Sequence, residues 1–368
     1  MSSDNGRFWF GKKVLITGGD GFAAANLAAD LIRRHAYVVL GVRHQRPTST
    51  MKLLGIHDNP PDLEYCDFST LPQTQRLCDR HQFDTIFHLA ASAIVSDAAR
   101  APMSTFENNI VPTLNLLEAA RINRIPRVLI ASSDKAYGDH ADADDLEKIP
   151  YRENYALRGL DVYSASKVCA DMIGQTYAYQ FRMPVIVVRS CNIYGPGDLN
   201  FTRLIPKTIL RLMADQPPVI NQGNDLVLRE YIYVDDVVSA YRFLAEHISS
   251  HYGPSVPRTG RAPYGWSAYN VGAYTHETKS VKQCPNIRNV RQVIEEIAKR
   301  LDKAHIQPQV VPKDINFIEI PDQYLDSSKI MTLGYRPQLL FCEGLERTIK
   351  WYKDNYSYLS RLGDKYLR

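Results

Sequence analysis

Two rhythms of hydrophobic and polar positions alternate through the first half of this chain. Short, mostly apolar runs at residues 13–17, 37–42, 63–66, 83–91, 128–131 and 185–189 read as strands, most of them buried on both faces. Between them, apolar residues recur at helical spacing from about 22 to 35, from 102 to 120 and from 163 onward. Strand, helix and strand in repeated succession predict an α/β protein built on a doubly wound parallel sheet. In such a sheet ligands bind beyond the carboxyl ends of the strands.

Past Arg189 the pattern loosens. A turn-rich stretch at 190–198, a helix after Phe201, the Pro217-Pro218 break and an apolar run at 226–234 mark the passage into a smaller lobe. Residues 251–282, rich in Gly, Pro, Ser and Tyr, read as long loops around a short strand near 269–271. Helices are expected at 289–301 and 345–356. The expected division is 1–188 with about 227–250 in the sheet domain, and 189–226 with 251–368 in a C-terminal α/β substrate lobe. A chain of 368 residues can bury cores for both.

Composition narrows the class. Hydrophobic content of 45% and charged content of 23% are those of a globular protein. The formal net charge of +4 is spread without a basic block, which gives nucleic-acid binding no support and suits an anionic small molecule. The six cysteines lack zinc or redox spacing, so buried thiols in a reducing compartment and no metal are expected. Neither a leader-like start nor a bilayer-length apolar run is visible, and the expectation is a soluble, cytoplasmic protein without membrane partners.

Candidate chemistry gathers at strand ends. The first strand runs into Gly18-Gly19-Asp20-Gly21-Phe22-Ala23-Ala24 and a helix; Gly18 and Gly21 permit a tight turn and close phosphate approach, and small Ala24 lets helix and strand touch. The second strand ends at Arg43, with Arg46 nearby, where an NAD site usually carries an acid. A cation there can meet a 2′-phosphate and leans the cofactor towards NADP. Asp67 either receives the adenine amino group or caps the next helix. His88 reads as a core histidine. The run RVLIASSDKAYG delivers Ser133, Asp134 and Lys135 together at a buried strand's carboxyl end, and the four-residue offset of Tyr163 and Lys167 puts both on one helix face.

In this order the motifs resemble the extended short-chain dehydrogenase/reductase family of nucleotide-sugar epimerases and dehydratases, over nearly the whole chain. The resemblance is carried by Thr17-Gly18-x-x-Gly21-Phe22, His88-Leu-Ala-Ala91, Ser132-Ser-Asp-Lys-Ala-Tyr-Gly138, Tyr163 with Lys167, Asn192 to Gly197, and Arg229-Glu-Tyr-Ile-Tyr-Val-Asp235. Phe8-Trp9-x-Gly11-Lys12, Ser133-Asp134-Lys135, Tyr151-Arg152-Glu153 and Arg203-Leu-Ile-Pro206 look most like the CDP-glucose 4,6-dehydratases. Ala24, in place of a third glycine, and the more general epimerase pattern of 192–197 and 229–235 depart from that subgroup.

The resemblance implies a Rossmann-type domain, a nucleotide-diphosphate sugar as substrate, and a homodimer or dimer of dimers formed through helices around 105–120 and 163–180. It places NAD or NADP against Gly18, Gly21, Phe22, Ala23, Arg43, Asp67, Phe68, Leu89, Ala90, Ala91, Asn109, Tyr163 and Lys167. Substrate would meet Ser133, Asn192, Arg203, Leu204 and Arg229, with Arg229 first and Arg203 second for the diphosphate because a guanidinium grips phosphate bidentately. Ser133, Tyr163 and Lys167 would oxidise the sugar at C4. For a dehydratase, Asp134 would be the acid and Lys135 the base for loss of water across C5 and C6, followed by hydride return to C6. A 4-epimerase on the same scaffold, and a non-catalytic dinucleotide-binding module, stand as alternatives. Asp235 and Asp236 read as helix caps.

Overall fold

The structure is a computed structural model that describes residues 7–44, 49–56, 61–140, 148–251, 265–275, 281, 284–312 and 320–364. Its strands, in chain order, are β1 (Lys13–Thr17), β2 (Tyr37–Val42), β3 (Asp62–Tyr65), β4 (Thr85–His88), β5 (Val128–Ala131), β6 (Val185–Ser190), β7 (Asn192–Tyr194), β8 (Val219–Asn221), β9 (Leu228–Tyr233), β10 (Ala268–Val271), β11 (Ile287–Asn289) and β12 (Gln309–Val311). The helices are α1 (Phe22–Arg33), α2 (Thr50–Leu53), α3 (Leu71–His81), α4 (Val95–Arg100), α5 (Pro102–Ile122), α6 (Val162–Gln180), α7 (Leu204–Met213), α8 (Val234–His251), α9 (Val290–Arg300), α10 (Ser328–Thr332), α11 (Phe341–Asp354) and α12 (Tyr356–Leu362).

Seven strands pair in the order β10-β6-β5-β4-β1-β2-β3, every pair parallel. The chain starts at β1, moves outward to β3, then returns to β4 on the other side. The crevice between β1 and β4 is therefore the point where winding reverses and ligands bind. β4, β5 and β6 are short and almost wholly buried, because helices cover both faces of the sheet. One face carries Leu15, Val39, Leu116, Leu117, Ile130 and Val185. The other carries Val14, Ile16, Leu27, Phe87 and Val188, in a core continuous with residues as distant as Tyr352. A sheet ordered β11-β9-β7 and a β12-β8 pair lie outside the large sheet.

The expected Rossmann-type α/β architecture is present. β4 is shorter than the apolar run 83–91, for a local reason: the N–H groups of Leu89 and Ala90 donate to the Thr17 hydroxyl (3.2 and 3.1 Å) and not to a neighbouring strand. The last helical run starts earlier than its apolar pattern, since the Glu343 carboxylate accepts from the Leu340 N–H (3.1 Å) and fixes the first turn. α12 extends past the last helix that the sequence predicts, and Leu359 is its one buried residue. Arg46 and most of the 251–282 loop region lie outside the described residues. All six cysteines are free thiols. No helix among the described residues is long and apolar enough to cross a membrane.

Candidate active site

β5 ends where its apolar side chains run out, and Ser133 turns the chain into a single 3₁₀ turn, Asp134–Tyr137. The Ser133 hydroxyl accepts from the Lys135 N–H (3.2 Å) and donates to the Asp134 carboxylate (3.0 Å). Gly138 closes the turn at φ +70°, tight against Arg158. A rigid strand end thus holds hydroxyl, carboxyl and amine in consecutive positions.

α6 brings the phenol. Asp161 caps it, accepting from the Ser164 N–H (3.0 Å), and Gly174 lets its middle approach β5 and β6, since a methyl there would meet Ile130 and Val187 at 2.8 Å. Tyr163, Lys167 and Asp171 follow at four-residue intervals and face the sheet. Asp171 anchors that face: it accepts from the Ser132 hydroxyl (2.7 Å) and from two nitrogens of Arg189 on β6 (both 2.9 Å), and neither ion-pair partner has exposed side-chain surface. The anchor fixes Tyr163 and Lys167 in register with Ser133.

Burial pushes the Tyr163 phenol up to about 12, against a hydrogen bond with the Ser133 hydroxyl and the Arg203 guanidinium, both of which draw it down. Lys167 donates to the Ala131 carbonyl (2.9 Å), and burial pulls its amine down to about 8. Ser133 and Asp134 act on the Tyr163 phenol, Lys135 follows them in the same turn, and Lys167 lies one turn along α6 from Tyr163. Arg203 joins them, steadied by Asp198 (3.1 Å) at the start of α7, with Leu204 next in line.

Arg229 is turned differently. Its guanidinium donates to the carbonyls of Leu228, Pro321 and Ile320 (2.9, 2.7 and 2.6 Å), which fastens the 320–321 backbone to β9. Asn192 donates to the Glu230 carbonyl (3.0 Å). Asp235 and Asp236 open α8, but Asp236 accepts from the N–H groups of Gln338 and Leu339 (2.8 and 3.0 Å). It therefore ties down a distant loop and does not cap its own helix.

At the β1–α1 turn the residues fit a dinucleotide. Gly18 adopts φ +70°, and a side chain there would strike the Ala90 backbone at 2.9 Å; Gly21 starts α1 without any side-chain cap, so no side chain competes with an anion for the helix's first N–H groups. Phe22, Ala23, Leu89, Ala90 and Ala91 are half-buried around that turn. Asn109 holds both polar groups of the Ser92 backbone (2.7 and 3.2 Å) and the Ser166 hydroxyl (2.8 Å), which shapes the floor next to them.

Two expectations change. Asp67 accepts from the Ser69 N–H and hydroxyl (3.1 and 2.7 Å), and Thr70, not Asp67, stands at the N-cap of α3. Phe68 is packed in the core against Gly41. The lean towards NADP finds no support: Arg43 donates to Asn108 (2.7 Å). His88 is the core histidine expected, bonded to Thr17 (2.8 Å) and Thr113 (3.0 Å), with burial holding its imidazole down to about 3. Among the described residues no group of three or more His, Cys, Asp or Glu side chains could hold a metal ion.

Sequence reasoning missed Gln323. It is fully buried; its Nε2 donates to the Asp134 carbonyl (2.8 Å) and its Oε1 accepts from the Lys135 amine. No periodicity or motif surrounds it, and only the three-dimensional return of the C-terminal segment reveals the contact.

The chain is similar to the dTDP-D-glucose 4,6-dehydratase of Homo sapiens, 27% identical over 351 residues that cover 94% of this chain and 91% of the relative. It is likewise 27% identical to dTDP-glucose 4,6-dehydratase 1 of Escherichia coli (strain K12), covering 95% of each. A trifunctional UDP-glucose 4,6-dehydratase/UDP-4-keto-6-deoxy-D-glucose 3,5-epimerase/UDP-4-keto-L-rhamnose-reductase of Arabidopsis thaliana is 30% identical over 94% of the chain, which spans 47% of that longer protein. In fold it matches dTDP-glucose 4,6-dehydratase from Bacillus anthracis in complex with NAD, with TM-score 0.77, 21% identity, and 95% and 99% of the two chains covered. UDP-glucose 4-epimerase from Thermotoga maritima matches with TM-score 0.74, 20% identity, and 94% and 99% covered. A sequence model described as the NAD dependent epimerase/dehydratase family matches residues 14–257, and the chain belongs to that family.

Proposed function

We propose that this protein is a nucleotide-sugar 4,6-dehydratase, a lyase that converts an NDP-hexose into an NDP-4-keto-6-deoxyhexose. One observation carries the reading: Asp134 and Lys135 stand next to Ser133 on the strand end that faces Tyr163, so the groups for oxidation and for elimination share one crevice. An epimerase needs only the first set. The Asp134 Oδ2 atom is buried with no hydrogen-bond partner, the mark of a group awaiting something in the crevice.

NAD is the dinucleotide we infer; the Gly18–Ala23 turn, the Leu89–Ala91 backbone and Lys167 would hold it, and it would supply a reversible hydride acceptor for the sugar. Tyr163 takes the proton of the 4-hydroxyl. A free tyrosine loses its proton only near pH ~10, and burial holds Tyr163 higher still against the pull of the Ser133 hydroxyl and the Arg203 guanidinium, so the phenolate needs the added positive charge of Lys167 and of the oxidised dinucleotide once bound. Ser133 holds the same sugar oxygen. Once C4 is a ketone the C5 proton is acidic: Lys135 removes it, and Asp134 protonates the departing 6-hydroxyl. Asp134 must carry a proton and Lys135 none before elimination begins, and closure of substrate over the crevice, by desolvating both, favours those states.

For the diphosphate, Arg203 is favoured over Arg229, whose donors serve backbone carbonyls. Asn192 and Leu204 are the further substrate contacts of this reading. We assign 1–188 with about 227–250 to the dinucleotide and the remainder to the sugar nucleotide, in a cytoplasmic homodimer joined through α5 and α6. Incubation with CDP-, UDP-, dTDP- and GDP-hexoses tests the reaction: a 4-keto-6-deoxy product supports it, and sugars interconverted with the 6-hydroxyl retained refute it.

A further inference from the structure

We propose that Gln323 is a positioning residue for elimination: its side-chain amide holds the Lys135 amine in place and gives that amine a neutral acceptor where a carboxylate would keep it charged. The proposal rests on the dehydratase reading above.

The geometry is specific. One fully buried side chain reaches across from the C-terminal segment and bonds both residues of the proposed acid–base pair, the Lys135 amine through Oε1 and the Asp134 carbonyl through Nε2 (2.8 Å). Its own backbone is pinned to β9, with its N–H on the Leu228 carbonyl (3.1 Å) and its carbonyl accepting from the Glu230 N–H (3.3 Å). Two residues on, the Leu325 N–H donates to the buried Glu230 carboxylate (2.9 Å), which also takes the N–H groups of Ala273 and Tyr274 (2.6 and 2.8 Å). Gln323 is thus a fixed strut, not a side chain free to follow Lys135.

An amide oxygen accepts from an ammonium and from a neutral amine alike, so it orients Lys135 without deciding its protonation. A carboxylate in the same place would form an ion pair and hold the proton on. The base must be neutral when it acts. The C5 proton passes to Lys135 Nζ, the electron pair of the C5–H bond becomes the C5–C6 double bond, the C6–O bond breaks, and the hydroxyl leaves as water on the Asp134 proton. No oxidant is consumed.

Among the described residues, Asp134 shares the turn with Lys135 and interacts with Tyr163 of α6, Cys191 after β6 and Tyr151, which packs beside Tyr137. Arg229 and Glu230 on β9 are turned onto backbone groups, and Asp322 accepts from the Leu228 N–H (2.8 Å).

The test compares full-length wild type with Gln323→Glu and Gln323→Met. Lysines carry ε-¹³C, the Lys135 resonance is identified by its loss in Lys135→Arg, and its titration is followed by NMR without substrate. In Gln323→Glu the Lys135 midpoint should rise by about one pH unit or more, and the acid limb of elimination should rise with it, while reduction of the bound cofactor at pH 8 stays within about threefold. Gln323→Met should keep its circular dichroism and cofactor reduction and lose elimination by about tenfold or more. An unmoved Lys135 midpoint in folded Gln323→Glu, or full elimination in Gln323→Met, overturns the proposal. A moved midpoint in a protein that never forms a 4-keto-6-deoxy product overturns the dehydratase reading, and the role in elimination with it, while leaving the Lys135 contact upheld.

Discussion

The Ser133 hydroxyl at the end of β5 is hydrogen-bonded to the phenol of Tyr163 at the start of α6, and it lowers the pKa of a group that burial drives up to about 12. A hydroxyl set beside a phenol can hold the sugar oxygen whose proton the phenol takes. Tyr163→Phe should therefore abolish both reduction of the bound cofactor and water loss, by about 10²–10⁴-fold. Absorbance of the reduced nicotinamide and sugar product analysis, on the same sample, measure the two losses.

Asp134 and Lys135 sit one and two residues further on, and the two steps should separate there. Asp134→Ala and Lys135→Ala should each cut elimination by about 10²–10⁴-fold and retain part of the cofactor reduction. Single-turnover assays with an NDP-hexose distinguish the phases. Normal dehydration by either variant would remove that residue from its role.

Arg203 supplies a pH test. Its guanidinium is among the groups that pull the Tyr163 phenol down, so replacing it by Gln leaves the phenol at a higher pKa. The fraction of phenolate at a given pH falls, and the rising limb of cofactor reduction should move to higher pH. A rate–pH profile of Arg203→Gln that overlays the wild type contradicts this, and a raised KM in the same variant would reflect its proposed contact with the diphosphate.

Stability should hinge on Asp171. It is the partner of Arg189 in an ion pair with no exposed side-chain surface, and it also holds Ser132. Asp171→Ala leaves a buried guanidinium without its carboxylate, a loss of about 3–5 kcal/mol. Urea unfolding of the variant measures it. Burial already disfavours the charged form of Lys167, and loss of Asp171 should lower its pKa further below about 8.

Much of the sheet was legible because buried parallel strands leave an unmistakable apolar signature: β1, β2 and β5 fall where the pattern put them. The candidate cluster was legible for the same reason, since Ser133, Asp134 and Lys135 follow one such strand and Tyr163 and Lys167 share one helix face. Partnerships made at long range were not. Arg229 looked available for phosphate until its guanidinium was found on three carbonyls, two of them about ninety residues away. Arg43 suggested a 2′-phosphate, but its side chain meets Asn108 on α5. Gln323 carried no local signal, because what it does depends entirely on a turn 188 residues earlier.

The dehydratase reading is tested most directly by the product formed from NDP-hexoses in deuterium oxide. Removal of the C5 proton by Lys135 and its later replacement from an exchangeable group predict an NDP-4-keto-6-deoxyhexose bearing one deuterium at C5. A C4 epimer with its 6-hydroxyl intact and no deuterium at C5 would contradict it.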